Sequence, residues 1–142
     1  MSSRFDWAAI RSGASVCLVL AIPFSLLARW AADSRDDEGL AILLTLCALA
    51  GFVVGSGVAA WVQRVGLPLV HAIITASLTY LGAQALFIAL RLVTGREVRW
   101  FAALFNVTPV LLAGVVGGML GLVLQRRGIV PGARGRAEGS DT

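Results

Sequence analysis

Hydrophobic positions fall into four long blocks, and every charged side chain lies in the short segments between or beside them. The blocks without Asp, Glu, Lys or Arg are residues 12–28, 39–63, 65–90 and 100–125. A helix needs about 20 apolar residues to cross the hydrocarbon core of a membrane. Three blocks exceed that length, and the first reaches it because Arg11 and Arg29 can extend their charged ends toward water.

The blocks are typical of membrane helices rather than of barrel strands or a soluble bundle. Barrel strands alternate apolar and polar residues over about ten positions, and a helix of a soluble bundle has a polar face. These blocks have neither pattern. The sequence therefore predicts an all-α protein, a four-transmembrane-helix up-down-up-down bundle in one domain, residues 1–125. The predicted helices cover about 10–30, 40–62, 67–92 and 100–125.

The distribution of arginine predicts the orientation. Four spans put both termini on one side, which then carries seven arginines against five on the other. The positive-inside tendency places the termini in the cytoplasm. All twelve basic residues are arginine, which is typical of a GC-rich genome and suggests a bacterial plasma (inner) membrane. The first block lacks small residues at signal-cleavage spacing, so we expect it to remain as a helix.

Residues 126–142 are predicted to form a basic, disordered cytoplasmic tail. Its arginines are candidates for contact with anionic lipid headgroups, each contributing about 1 kcal/mol near the surface. They are Arg126, Arg127, Arg134 and Arg136. The basic composition thus has an explanation in the membrane, and no nucleic-acid-binding fold supports a different partner.

Small residues recur four apart in the predicted helices. Because lipid provides no hydrophobic drive to join helices, close backbone approach at small residues often holds membrane bundles together. We therefore expect helix contacts at these stripes, within the chain or between copies. The candidate helix-packing residues are Gly51 and Gly55 in the second helix and Gly114, Gly117, Gly118 and Gly121 in the fourth.

A few polar residues fall inside the apolar blocks and form a candidate polar cluster. Counting from the nearest charges puts Thr45, Gln84 and Asn106 at one depth in the outer half. We expect Gln84 and Asn106 to share a hydrogen bond between the third and fourth helices. His71 lies one turn into the third helix, where Ser56 is a possible partner. The alternatives are a polar lining for a solute path and, for His71, a role in pH sensing.

The chain lacks the residues on which several functional classes depend. Apart from His71, no ionisable Asp, Glu, Lys, Arg or His lies within a block, which counts against a proton-coupled transporter. A single histidine is a poor basis for haem ligation, and catalytic triads, zinc motifs and phosphate-binding loops are missing. Cys17 and Cys47 are expected at different depths and as packing residues. We therefore expect no enzyme activity, no cofactor and no metal.

The stretch from Gly51 to Ala60, followed by His71 and Ala72, resembles part of a family of small four-helix bacterial integral membrane proteins of unknown function. The resemblance covers the second and third helices, and Val54 stands where that pattern has a small residue. It implies a fold and a location but no activity.

Two functions remain open from the sequence. The first is a non-enzymatic structural or accessory protein that acts through helix packing with itself or with a membrane partner. The alternative is a channel or transporter subunit whose polar path runs near Thr45, Gln84, Asn106 and His71. A continuous polar cavity would distinguish the second from the first.

Overall fold

The computed structural model describes residues 5–95, 97, 100–129 and 131, and those residues form four long helices and one short helix. The helices are α1 (Trp7–Ser34), α2 (Glu38–Val62), α3 (Pro68–Val93), α4 (Trp100–Phe105) and α5 (Val107–Arg126). All but α4 are long and apolar enough to cross a membrane. The predicted all-α class is thus confirmed for the described part of the chain, while most of the predicted tail, with Arg134 and Arg136, lies outside it.

Local signals account for where the long helices begin. The Asp6 carboxylate accepts a hydrogen bond from the Ala9 N–H at 3.1 Å, and Asp37 does the same for Leu40 at 2.9 Å. Both contacts satisfy backbone donors that the first turn of a helix leaves unpaired. Pro68 occupies the first turn of α3, where its missing N–H costs nothing.

The predicted fourth helix, residues 100–125, is interrupted. The structure has α4 and α5 in its place, with the break at Asn106. Pro109 supplies the reason, because its ring has no N–H to donate and clashes with the carbonyl of Phe105 four residues earlier. The proline therefore starts α5 afresh instead of continuing α4.

Contacts between α1 and α2 show that the two helices run antiparallel. Gly13, near the start of α1, lies against Ala59 near the end of α2. Leu20, further along α1, lies against Gly51, earlier in α2. The order of the contacts is reversed, as a short connection between sequential helices favours.

Helix α5 contacts two helices in opposite senses. It runs antiparallel to α3, because Gly114 lies against Ala76 and Gly118 against Ala72. It runs parallel to α2, where Gly57 lies against Gly117 and Gly121 lies against Ala60 and Trp61. Since α1 also packs on both α2 and α3, these two helices form the centre of the bundle.

Burial divides the molecule into two halves, which we name for their packing. The closed half comprises residues 7–21, 48–80 and 110–126, and the open half comprises residues 22–47 and 81–109. Every buried residue of α2, α3 and α5 lies in the closed half. In the described open half, only Ala28 and Ala31 of α1 are buried. The four long helices are therefore tightly packed at one end and loosely packed at the other.

Candidate functional site

The interface of α1 with α2 is built on glycines in both helices. A methyl group at Gly13 would lie 2.6 Å from the Ala59 Cβ, and one at Gly55 would lie 2.6 Å from the Gly13 carbonyl oxygen. One at Gly51 would lie 2.8 Å from the Leu20 Cβ. Such distances are shorter than van der Waals contact, so only hydrogen atoms fit at these positions.

Helix α5 carries two glycine faces, one for each central helix. Gly117 and Gly121 lie against α2, where a methyl group at Gly121 would be 2.6 Å from the Gly57 carbonyl oxygen. Gly114 and Gly118 lie against α3, with corresponding distances of 3.0 Å and 2.9 Å to the Cβ atoms of Ala76 and Ala72. The six glycines singled out from the sequence therefore all lie at contacts within the chain.

His71 is fully buried, and both of its ring nitrogens are hydrogen-bonded. Its Nε2 accepts the Asp6 N–H at 2.9 Å, and its Nδ1 lies 2.8 Å from the Leu67 carbonyl oxygen. A nitrogen that accepts from an N–H is unprotonated, so Nδ1 carries the proton and donates it to that carbonyl. Ser56, the possible partner considered from the sequence, does not bond to His71: its hydroxyl donates to the Phe52 carbonyl in its own helix at 2.6 Å.

Asp6 joins the start of α1 to the turn between α2 and α3. Its backbone N–H binds His71, one carboxylate oxygen caps α1, and the other accepts the Arg64 N–H at 3.3 Å. Three connections through one residue hold the α1 terminus against the turn. His71 and Asp6 thus have a positioning role in this structure.

Two glutamines complete the polar contacts at this end. The Gln125 amide donates to the carbonyls of Ala60, Trp61 and Gln63 at 3.0–3.2 Å, where the last turn of α2 leaves acceptors without helical partners. The Gln63 side-chain oxygen accepts the N–H groups of Val65 and Leu67. Side chains of the closed half thereby form hydrogen bonds with the backbone groups that the helix ends leave unpaired.

A cleft of about 1160 Å³ opens between all four long helices in the open half. Residues at the boundary with the closed half form its floor: Ala21, Ala48, Phe52, Tyr80 and Val110. Beneath that floor lie the largest fully buried side chains, which are Cys17, Ser56, His71 and Thr75. The cleft therefore enters the bundle from one end and stops about halfway.

The structure brings three of the four polar candidates together. Thr45, Gln84 and Asn106 all line the cleft, while His71 is beneath its floor at the other end of α3. The expected bond between Gln84 and Asn106 is wrong, because the Gln84 amide donates to the Tyr80 hydroxyl at 2.7 Å. Asn106 lies at the break between α4 and α5 and is exposed at the margin of the cleft.

Two arginines at the mouth of the cleft were not identified from the sequence. The Arg29 guanidinium lies 4.8 Å from the centre of the Phe87 ring, within the range of a cation–π contact. Arg91 follows Phe87 by one helical turn, and its Nη1 donates to the Glu97 carbonyl at 2.9 Å. Asp33 also lines the mouth. The spacing of Phe87 and Arg91 was a visible signal, but only the fold brings Arg29 to them.

The cleft offers binding groups rather than reactive ones. Its walls are mainly apolar, with isolated hydroxyl and amide groups and with charge only at the mouth. Among the residues that the structure describes, no three His, Cys, Asp or Glu side chains lie close enough to hold a metal ion. Apolar walls with a few placed polar groups are typical of sites that bind small molecules.

Comparison with known proteins finds no matching family model, no matching curated protein and no matching solved structure. The resemblance to small four-helix bacterial membrane proteins stays a prediction. The function must therefore be argued from the site itself.

Proposed function

We propose that the chain is a non-enzymatic integral membrane protein that binds a lipid-like amphiphile in the cleft of its open half. Four helices would cross the bilayer up-down-up-down, with the closed half toward the cytoplasm. The single observation that carries the binding proposal is the cleft, a large, mainly apolar space that all four long helices line and that the closed half seals from below.

The helix dimensions support a position in the membrane. At about 1.5 Å per residue, the 20 residues of α5 span about 30 Å, which equals the thickness of the hydrocarbon core. Large apolar side chains are exposed along the long helices, as lipid contact would allow. The tryptophans at or near helix ends, Trp7, Trp30, Trp61 and Trp100, fit the membrane interface.

The directions of the helices and the distribution of arginine support the proposed orientation. Antiparallel α1–α2 and α3–α5 pairs and a parallel α2–α5 pair are those of an up-down-up-down arrangement. The positive-inside tendency then supports cytoplasmic termini in a bacterial plasma membrane. Arg126 and Arg127 would lie beside anionic headgroups on that side.

The geometry favours binding over the two functions considered from the sequence. The glycine faces are covered within the chain, so they offer no free surface for a partner in this state. A solute path through Thr45, Gln84, Asn106 and His71 would have to cross the floor of the cleft, below which the side chains are fully buried. A binding cleft requires neither a free glycine face nor a continuous path.

The test is whether filling the cleft prevents lipid binding. Ala83 lines the cleft, whereas Ala85 in the same helix is exposed and does not line it. Phosphatidylcholine would be titrated into detergent-purified protein and its binding measured by native mass spectrometry. We expect Ala83→Phe to weaken binding at least about tenfold, or about 1.4 kcal/mol, and Ala85→Phe to leave it unchanged. Equal binding by all three proteins, or none by the unmodified chain, would contradict the proposal.

A further inference from the structure

We infer that the amphiphile is an anionic phospholipid whose phosphate is held by Arg29 and Arg91 at the mouth of the cleft. This inference rests on the proposed function, since it identifies the class of lipid that occupies the same cleft.

The two guanidinium groups lie on one wall of the mouth. Arg29 extends from α1 over the Phe87 ring of α3, and Arg91 stands one turn further along α3 on the same face. Side chains four residues apart on a helix have Cβ atoms about 6 Å apart. Both cations are therefore within reach of a single headgroup.

Both arginines retain donors for a ligand. A guanidinium has five N–H donors. The Arg91 group gives one to the Glu97 carbonyl, and Arg29 makes a cation–π contact with Phe87, with its Cζ atom 4.8 Å from the ring centre. Neither forms an ion pair with a carboxylate in the part of the chain that the structure describes. The planar fork of such a group binds phosphate oxygens through two parallel hydrogen bonds.

The charges around the mouth favour a lipid with a net negative headgroup. Among the side chains that line the cleft, Arg29 and Arg91 contribute two positive charges and Asp33 one negative charge, which leaves a net charge of +1. Asp33 attracts the cation of a zwitterionic lipid, but the two arginines repel it. A phosphatidylglycerol headgroup has no such cation, so its phosphate faces both arginines without competition.

Below the mouth, the cleft suits apolar chains. Leu18, Ile22, Leu49, Phe52 and Ile88 are among the residues that line it. Its volume of about 1160 Å³ exceeds the roughly 300–1,000 Å³ of pockets that hold drug-sized ligands. A charged mouth above a deep apolar space has the polarity of a phospholipid, with its phosphate at the membrane interface and its chains in the hydrocarbon region.

The experiment compares two lipids on matched arginine variants. Native mass spectrometry would measure the ratio of phosphatidylglycerol to phosphatidylcholine bound from an equimolar mixture. We expect the unmodified chain to favour phosphatidylglycerol about fivefold or more, and Arg29→Gln with Arg91→Gln to bring the ratio close to one. Arg91→Lys, which keeps the positive charge but lacks the planar guanidinium with its parallel N–H donors, should give an intermediate ratio.

Arg35→Gln is the control, because Arg35 lies at the same end of α1 but stacks 4.9 Å from the Trp30 ring centre and does not line the cleft. The preference should survive this variant. An unchanged ratio in the double variant, or an equal loss in Arg35→Gln, would overturn the inference while leaving lipid binding intact. If the unmodified chain bound neither lipid, that result would instead overturn the proposed function, and with it this inference. A thermal melt equal to that of the unmodified chain would show that each variant is folded.

Discussion

The closed and open halves contain the same four long helices, yet they differ in how the helix backbones meet. In the closed half, glycines and alanines allow α2 to lie directly against α1 and α5. In the open half, α3 presents Gln84, Phe87 and Arg91 to a cleft. A glycine occurs there as well, but a methyl group at Gly82 would meet no atom within 4 Å.

This difference shows that small residues bring helices together only where two such surfaces coincide. Gly55 fits because Gly13 and Cys17 face it, and Gly117 fits because Ser56 and Gly57 face it. Polar groups follow the same division. In the closed half, Gln63 and Gln125 bind a helix end and a turn, whereas Gln84 binds a neighbour in its own helix and lines an open space. One half therefore holds the fold together, and the other leaves a cleft between its helices.

The largest effect should come from a bulky side chain at Gly117. Leucine there would overlap the α2 backbone near Gly57, so we expect Gly117→Leu to destabilise the fold by more than about 3 kcal/mol, at the upper end of overpacking costs. Thermal unfolding in detergent, followed by circular dichroism, would measure it. Gly82→Leu is the matched control in the open half and should melt near the unmodified chain. Equal losses at the two glycines would remove the contrast between the halves.

Removal of the buried imidazole should have the next largest effect. His71→Ala leaves a cavity and deprives the Asp6 N–H and the Leu67 carbonyl of their partner, which should cost about 2–4 kcal/mol. Chemical unfolding in mixed micelles is a suitable measurement. Asn106→Ala removes an exposed polar residue of the open half and should change stability by less than about 0.5 kcal/mol. A larger loss at Asn106 than at His71 would reverse the comparison.

Two glutamine substitutions test the same contrast between the closed and open halves, with smaller expected losses of stability. Gln125→Met keeps the length of the side chain but leaves the carbonyls of Ala60, Trp61 and Gln63 without their donor, so we expect a loss of about 1–3 kcal/mol. Gln84→Met removes a single hydrogen bond, the one that the Gln84 amide donates to the hydroxyl of the buried Tyr80, and should cost less than half as much. The same unfolding experiment would rank them, and equal costs would show that the closed half does not depend on its capped helix end.

The last comparison measures how fast introduced cysteines react with a labelling reagent instead of how stable the protein is, and its expected effect is the smallest of the four. In a chain without its two native cysteines, Ala83→Cys should react with a soluble maleimide through the cleft. Ala76→Cys, seven residues earlier in α3 and fully buried, should stay unlabelled. Mass spectrometry of the labelled protein would give both rates in detergent. Rapid labelling at both positions would show that the floor does not seal the closed half.

Much of the helical framework could be predicted from the sequence. The predicted helices 10–30, 40–62 and 67–92 correspond closely to α1, α2 and α3, because apolar helix length is a local property. The fourth block was predicted as one helix although Pro109 was visible in it. Whether a proline bends a membrane helix or ends it depends on how neighbouring segments support the backbone, which the sequence does not display.

The candidate site was less accessible to sequence reasoning. Depth counting placed Thr45, Gln84 and Asn106 at one level, and the structure puts them in one cleft. Depth counting does not show how each helix is rotated about its axis, so the expected bond between Gln84 and Asn106 was wrong. The role of His71 depended on Asp6, which is 65 residues away and contributes a backbone N–H that any residue type except proline would also carry.

The sequence by itself determined that the chain forms long apolar helices, since continuous uncharged stretches can satisfy their backbone hydrogen bonds in lipid only as helices or closed barrels. Tertiary structure decided where those helices touch and where they separate. That outcome depends on which small surfaces face each other, on the helix break at Asn106 and on contacts such as Arg29 with Phe87. These are relations between residues far apart in the chain, so the cleft exists only once the helices have packed.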